Sequence, residues 1–325
     1  MTLLLPILAV TAGFALLVWG ADRFVTGAAA TARNLGVSPM IIGLTIVGFG
    51  TSAPEMLVSA MAAWAGNPGL AIGNAVGSNI TNIGLILGTT ALAAPLTVAS
   101  VTLRREMPLL LAVMALSWGL LADGELGTVD ALVLLAGILL LVAWMVRLGM
   151  NSRRSPDPLL AEFSEELPAG LSTPVALAWV GVGLAVLLAS SRLLVWGAVE
   201  LARLLGVSDL VIGLTVVALG TSLPELAASV VSALKGEPDI ALGNVIGSNL
   251  FNLLGVLGIP GLFGPVAVDP AVLRRDYPVM LALTLALLLM SWNLRGSRRI
   301  NRIEGALLLL AYGGYQVLLY YGSGK

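Results

Sequence analysis

Long apolar runs, cut by short polar or Gly/Pro-rich punctuation, fill almost the whole chain, and most are long enough to cross a membrane as helices. Cutting at charges and at Gly/Pro clusters predicts ten spans, near 3–31, 39–65, 70–93, 107–122, 129–147, 173–203, 209–234, 240–263, 277–293 and 304–321. Residues 3–21, 56–103 and 240–268 contain no Asp, Glu, Lys or Arg, and a spanning helix needs only about 20 mostly apolar residues. The opening run "MTLLLPILAVTAGFALLVWGA" has no basic stretch before it and reads as a first span rather than a cleaved leader. One segment breaks the pattern. Residues 148–172 mix both charge signs with proline and read as a solvated linker, too short to fold alone.

The pattern then repeats. Residues 36–88 align with 206–258 without a gap, with 26 identities in 53 positions. Thr51 answers Thr221, Ser78 answers Ser248 and Asn82 answers Asn252, each at an offset of 170. Five spans per half is an odd number, so the second half enters the membrane upside down. The expected fold is therefore an all-α integral membrane protein of ten transmembrane helices in two inverted-topology repeats, 1–147 and 173–325, joined by the linker 148–172. The Lys/Arg bias sets the expected orientation. With both termini outside, the cytoplasmic loops hold Arg33, Arg104, Arg105, Arg147, Arg153, Arg154, Lys235, Arg295, Arg298, Arg299 and Arg302, against Arg203, Arg274, Arg275 and Lys325 outside. A multi-pass protein of the cell (plasma or inner) membrane, its linker cytoplasmic, is the expectation.

Composition narrows the chemistry. Of 325 residues 58% are hydrophobic and 11% charged, with a mean hydropathy of +0.98, whereas soluble domains carry about 25% charged residues. No basic patch points to nucleic acid. Cysteine and histidine are both absent. Their absence excludes disulfides, thiolate metal sites and Cys nucleophiles, and removes the commonest general base. A metal ion here must be held by oxygen, which favours hard cations. An intramembrane hydrolase using Ser52 or Ser222 would lack a base, and "GTSAPE" is not a nucleophile elbow. The chain reads as no enzyme and as needing no cofactor. Its expected partners are inorganic cations and the lipid bilayer, with no obligatory protein partner evident.

Candidate chemistry concentrates in the repeated segments "GFGTSAPE" (48–55) and "ALGTSLPE" (218–225). Pro54 and Pro224 lack N–H groups, so the carbonyls of Gly50 and Gly220 lose their helical donors. Freed carbonyls survive at membrane depth only inside protein or beside a water-filled cavity. Ser52 and Glu55, like Ser222 and Glu225, are spaced i, i+3 and share a helix face. A second polar stripe follows in each half, Asn74, Ser78 and Asn82, then Asn244, Ser248 and Asn252. Together the four segments supply a cage of oxygens around two glutamates. Ser, Thr and Asn also serve simply to join membrane helices, and that reading stays open for any single one of them. It does not fit two matched intramembrane glutamates, because such carboxylates are costly and functional. Asp22, Arg23, Arg192 and Glu200 lie inside spans and read as water-facing or snorkelling groups.

The doubled G-T-S-x-P-E and G-N-x-x-G-S-N segments, here "GTSAPE" with "GNAVGSN" and "GTSLPE" with "GNVIGSN", closely resemble the sodium/calcium exchanger branch of the calcium/cation antiporter family, prokaryotic type. The resemblance covers nearly the whole chain. It implies side-chain coordination of Ca2+ and Na+ by Ser52, Glu55, Ser78, Ser222, Glu225 and Ser248. It also implies backbone oxygens at Gly48, Thr51, Ala218 and Thr221, with Asn82 and Asn252 at the cage centre. Relatives often carry a carboxylate where this chain has Asn252, so this cage has two carboxylates rather than three. That leaves calcium in place and puts potassium co-transport in doubt. Gly48 stands where relatives often have Ala, a change that leaves a backbone ligand intact.

Two buried carboxylates carry −2, which one Ca2+ or a few Na+ balance. An empty cage buries that charge uncompensated, at a cost of several kcal/mol per ion. The carrier should therefore switch sides when loaded and rarely when empty, which is antiport. The expected moving parts are the first and sixth spans, sliding on glycines against the rest. Proton/cation exchange through the same glutamates is the alternative, and a channel or passive scaffold is the more distant one.

Overall fold

The computed structural model describes residues 3–37, 48–97, 101–151, 171–291 and 299–322. In the first half, α1 is Leu4–Asn34, α2 Gly48–Thr51, α3 Ala53–Trp64 and α4 Pro68–Thr81, which continues through a π-helical turn at Asn82–Leu87 into α5, Gly88–Ala93. A short strand β1 (Leu96–Thr97), α6 (Val101–Leu120), β2 (Glu125–Leu126) and α7 (Thr128–Asn151) follow. The second half opens with α8, Thr173–Leu205, then α9 (Asp209–Ile212), a π turn at Gly213–Val217, α10 (Ala218–Thr221) and α11 (Leu223–Lys235). After these come α12 (Pro238–Phe251), a π turn at Asn252–Val256, a 3-10 turn at Pro260–Phe263, β3 (Val266–Ala267) and a π turn at Val272–Asp276. The chain ends with α13 (Tyr277–Ser291), β4 (Arg299–Ile300) and α14 (Arg302–Gly322).

Local chemistry sets these boundaries. Pro68 and Pro238 each open a helix at the first position, where a missing N–H costs nothing. Gly206 and Gly236 close α8 and α11 in the left-handed region, at φ 68° and 88°. Among the described residues, six helices are long and apolar enough to cross a membrane, or seven if the bent pair Asp209–Thr221 and Leu223–Lys235 is one span. The other three expected spans coincide with shorter helices: α2 with α3, the apolar part of α6 at Glu106–Leu120, and α13. Residues 39–47 of the second expected span and 152–170 of the expected linker lie outside the described residues.

Burial sorts the helices into two kinds. The apolar window of Pro68–Ala93 is 94% buried and that of Pro238–Phe263 is 83% buried, against 22% for Thr128–Arg147 and for α8. The two buried helices, with the most Asn and Ser on them, thus form the centre, and the helices at Thr128–Arg147 and α8 are largely exposed. The halves are tied crosswise. α4 packs on α9, on α10 and on the turn between them, at so short a distance that a methyl on Gly73 would meet the Leu210 carbonyl. α12 packs in turn on α2 and α6. Two short antiparallel pairings, Leu96 with Ile300 and Leu126 with Val266, join the halves again at the ends of the helices.

The longest helices, α1 and α8, lie against each other over most of their length. Glycines set their separation: a methyl on Gly20 would press on the Gly183 carbonyl, and one on Gly183 on the backbone of Phe24. Small residues at such contacts let membrane helices approach closely. Arg23, placed inside a span by the sequence, lies over the Trp179 ring at 4.7 Å and beside the exposed Asp22 at 3.7 Å, which gives its charge two partners. Glu200 pairs with Arg203 at 2.8 Å.

Candidate functional site

Both expected breaks are present. Ser52 separates α2 from α3 with φ −86° and ψ 0°, and Ser222 separates α10 from α11 with φ −84° and ψ 7°. These dihedrals lie in the sparsely allowed bridge region where many active-site residues sit. Two residues further on, Pro54 and Pro224 take the second positions of the new helices, and in the second half the axis bends by 43°. Glu55 and Glu225 thereby fall in the first turns of α3 and α11. The unsatisfied N–H groups there favour negative charge, so each break creates the electrostatic setting its own glutamate needs.

Of the side chains singled out in these segments, Thr51 and Asn244 are half-buried and the rest are fully enclosed: Ser52, Glu55, Asn74, Ser78, Asn82, Thr221, Ser222, Glu225, Ser248 and Asn252. They come together from both halves. Ser222 Oγ donates to Glu55 Oε1 at 3.3 Å across the halves, and Ser248 Oγ donates to Glu225 Oε1 at 3.3 Å. Thr221 Oγ1 donates to Asn74 Oδ1 at 3.1 Å, matched by Thr51 Oγ1 to Asn244 Oδ1 at 3.3 Å. Thr51 and Ser248 hydroxyls lie 3.5 Å apart.

A second layer holds the first in place. Asn74 Nδ2 donates to the Glu55 carbonyl at 3.1 Å and Asn244 Nδ2 to the Glu225 carbonyl at 3.5 Å. Ser78 Oγ reaches Asn74 Oδ1 at 3.4 Å rather than a carboxylate. Asn82 Nδ2 donates to Asn249 Oδ1 at 3.0 Å, and Ser59 Oγ fixes α3 to the Val256 carbonyl at 2.9 Å. The Ala218 carbonyl accepts from the Ser222 N–H at 3.2 Å and from Thr221 Oγ1 at 3.5 Å. Gly48 begins α2.

Sequence reasoning passed over Asn79 and Asn249. Each follows a stripe serine by one position and so falls off the four-residue spacing, yet both are buried and both recur in the doubled "GSN". That recurrence was the available signal. The π turns at Asn82 and Asn252 had none; each adds a residue to the helix, a distortion frequent at functional sites.

Several polar atoms of this cluster are buried with no hydrogen-bond partner in the protein: Ser52 Oγ, Glu55 Oε2, Glu225 Oε2, Asn82 Oδ1, and both amide atoms of Asn252. Five of these six atoms are side-chain oxygens, two of them from the carboxylates themselves, and leaving a buried polar group unpaired costs about 1–3 kcal/mol, more for a charged one. A cation is the partner that such oxygens accept. Among the described residues no group of three or more acidic residues exists that could hold a metal ion, so the cluster has two carboxylates.

The comparisons agree with this architecture. The family described as sodium/calcium exchanger protein matches residues 5–148 and 175–321. The protein CaxA of Alkalimonas amylolytica is 55% identical over 311 residues, 96% of this chain and 97% of that one. The sodium/calcium exchanger MaX1 of Methanosarcina acetivorans is 34% identical over 346 residues, covering 95% of this chain and 97% of its own. A solved structure of the sodium-calcium exchanger NCX_Mj, soaked with 100 mM Na+ and 10 mM Sr2+, superposes with a TM-score of 0.66 at 33% identity and covers 100% of both chains. This chain, a helical multi-pass membrane protein, belongs to the sodium/calcium exchanger family, among the prokaryotic calcium/cation antiporters.

Proposed function

We propose that the protein is a secondary antiporter that exchanges Na+ for Ca2+ by alternating access, through one cage built by both halves. The supporting observation is the set of buried, unpartnered oxygens around Glu55 and Glu225. In this reading Ser52, Glu55, Ser78, Ser222, Glu225 and Ser248 bind through side chains and Gly48, Thr51, Ala218 and Thr221 through carbonyls. Asn82 and Asn252 line the centre. The fold takes ten transmembrane helices in two inverted repeats, with both termini outside the cytoplasm. The two carboxylates are balanced by one Ca2+, and the cost of burying them unbalanced keeps the empty carrier from switching.

The test is calcium uptake into sodium-loaded proteoliposomes, with and without an outward sodium gradient. Uptake that needs the gradient is expected. Uptake driven by a proton gradient and indifferent to sodium would replace this reading with proton exchange through the same glutamates.

A further inference from the structure

Away from the cage, α6 and α13 pack side by side and leave between them an open groove of about 360 Å³. Met114 of α6 and Tyr277 of α13 are buried at its floor, and the exposed Trp118 and Leu281 form its walls. Behind the floor the helices are joined, since Tyr277 Oη donates to Ser117 Oγ at 2.8 Å. Leu273 and Leu281, eight positions apart, both line the groove, which gives it a length of about 12 Å. Its depth in the membrane follows from the sequence. Residues 277–294 carry no charge and as a helix are about 27 Å long, close to the hydrocarbon thickness. The end of the groove at Leu273 and Trp118 therefore lies where apolar core meets headgroups, the level at which Trp is enriched.

Three charges stand at that level, Arg274, Arg275 and Asp276. Two of them satisfy each other. Arg275 Nε and Nη2 donate to the Asp276 carboxylate at 2.7 and 3.1 Å, and Tyr315 Oη donates to the same group at 2.9 Å. Arg274 is exposed and makes no ion pair among the described residues. The carboxylates of Asp123 and Asp269 turn to their own loops, accepting from the Glu125 N–H at 3.0 Å and the Ala271 N–H at 2.8 Å. Arg274 stands between Leu273 and the groove-lining Pro278, about one turn above the latter. An unpaired cation thus sits at the headgroup end of an apolar groove.

We propose that this groove holds one anionic phospholipid, its phosphate on the Arg274 guanidinium and one acyl chain between α6 and α13. Arginine binds phosphate through charge-assisted hydrogen bonds, and basic pockets between membrane helices take anionic headgroups. A free phosphate would use the arginine and leave the groove unused. A zwitterionic lipid would fill the groove but offer the arginine no net charge. An anionic lipid uses both. The other end of the same helix pair lacks the aromatic lining, because Leu288 answers Trp118 and Met107 answers Tyr277 at the offset of 170. One site per chain is the consequence. In the orientation proposed above it lies in the non-cytoplasmic leaflet, and it depends on neither the identity of the exchanged ions nor the cage.

The test is native mass spectrometry of the purified full chain in detergent, titrated with phosphatidylglycerol or with phosphatidylcholine of identical acyl chains. Wild type is expected to hold one phosphatidylglycerol about fivefold or more tightly than phosphatidylcholine, the factor for one arginine at a membrane surface. Arg274→Gln should bring the two lipids to equal affinity, Arg274→Lys should keep most of the preference, and Ala115→Phe, which fills the groove, should weaken both lipids. Arg203→Gln, at an arginine already paired with Glu200, should leave the preference intact. No preference in wild type, a preference that survives Arg274→Gln, or an equal loss in Arg203→Gln would overturn the proposal. Displacement of phosphatidylglycerol by inorganic phosphate, with Ala115→Phe without effect, would make free phosphate the occupant and overturn the lipid assignment. Should a variant fail to insert, the unfolding temperature of wild type decides. A larger rise with phosphatidylglycerol than with phosphatidylcholine supports the site, and equal rises contradict it.

Discussion

Glu55 and Glu225 stand in copies of one motif, at the same position after the same break, yet their carboxylates are held differently. Glu55 takes its hydroxyl from Ser222, which belongs to the opposite half, while Glu225 takes its own from Ser248, which belongs to the same half. The counterparts of these donors do something else. The Ser52 hydroxyl makes no protein hydrogen bond, and Ser78 turns to Asn74. Asn82 is likewise tied to Asn249, whereas Asn252 has no partner for either amide atom. The outer layer, by contrast, is matched: Thr221 with Asn74 and Thr51 with Asn244, each amide holding the neighbouring glutamate's carbonyl. Near-identical sequences thus form a symmetric frame around an asymmetric centre. A frame that both halves share, with an interior that differs between them, is what a site alternating between two sides requires.

The largest expected effect comes from removing either carboxylate. Glu55→Gln or Glu225→Gln leaves a bound divalent ion with one uncompensated charge in a buried site. That is a loss of about 3–5 kcal/mol by the measure of broken buried pairs, or roughly two to four orders of magnitude in affinity. Calcium-dependent exchange by purified, correctly inserted protein checks it, and near-normal transport in either variant would break the pairing of the two halves.

The difference between the serines is sharper still as a comparison. Ser222→Ala removes a hydrogen bond to a charged group, about 1.5–3 kcal/mol, and is expected to weaken calcium binding about tenfold or more. Ser52→Ala removes no protein hydrogen bond in the described state. Its effect measures only what Ser52 contributes to the ion. Equal losses in calcium affinity for the two variants would mean that the asymmetry seen between the halves does not persist in the loaded protein.

Much of this was legible beforehand. The offset of 170, the prolines after the Thr-Ser pairs and the matched glutamates located the breaks, the pairing and the enclosed residues, because a proline removes a donor in any context and a charge in an apolar run has few causes. What the sequence did not carry was the choice among equivalent partners. Ser222 and Ser52 occupy the same motif position, and only the placement of the two halves decides which one meets a carboxylate. The π turns at Asn82 and Asn252, and the groove between α6 and α13, are likewise products of packing between distant segments.

A smaller effect is expected at Asn252. Asn252→Asp adds a third titratable group beside two carboxylates, so exchange should become more dependent on pH and its sodium dependence should change. Transport across a pH series checks this, and unchanged profiles would place the residue outside the ion path. The smallest effect belongs to Asn249→Ala, which frees Asn82 Nδ2 in the buried layer. A loss of about 1–3 kcal/mol in stability, read as a lower unfolding temperature in detergent, is expected with exchange retained.

The most direct test of a single cage built by both halves is calcium-binding stoichiometry by calorimetry on purified wild type, Glu55→Gln, Glu225→Gln and the double variant. One Ca2+ per chain is expected for the wild type. Either single variant should lose that binding, and the double variant should lose no more than the singles, because both carboxylates serve one ion. If each single variant kept a calcium site that only the double variant lost, the two glutamates would bind independently, and a shared cage would be contradicted.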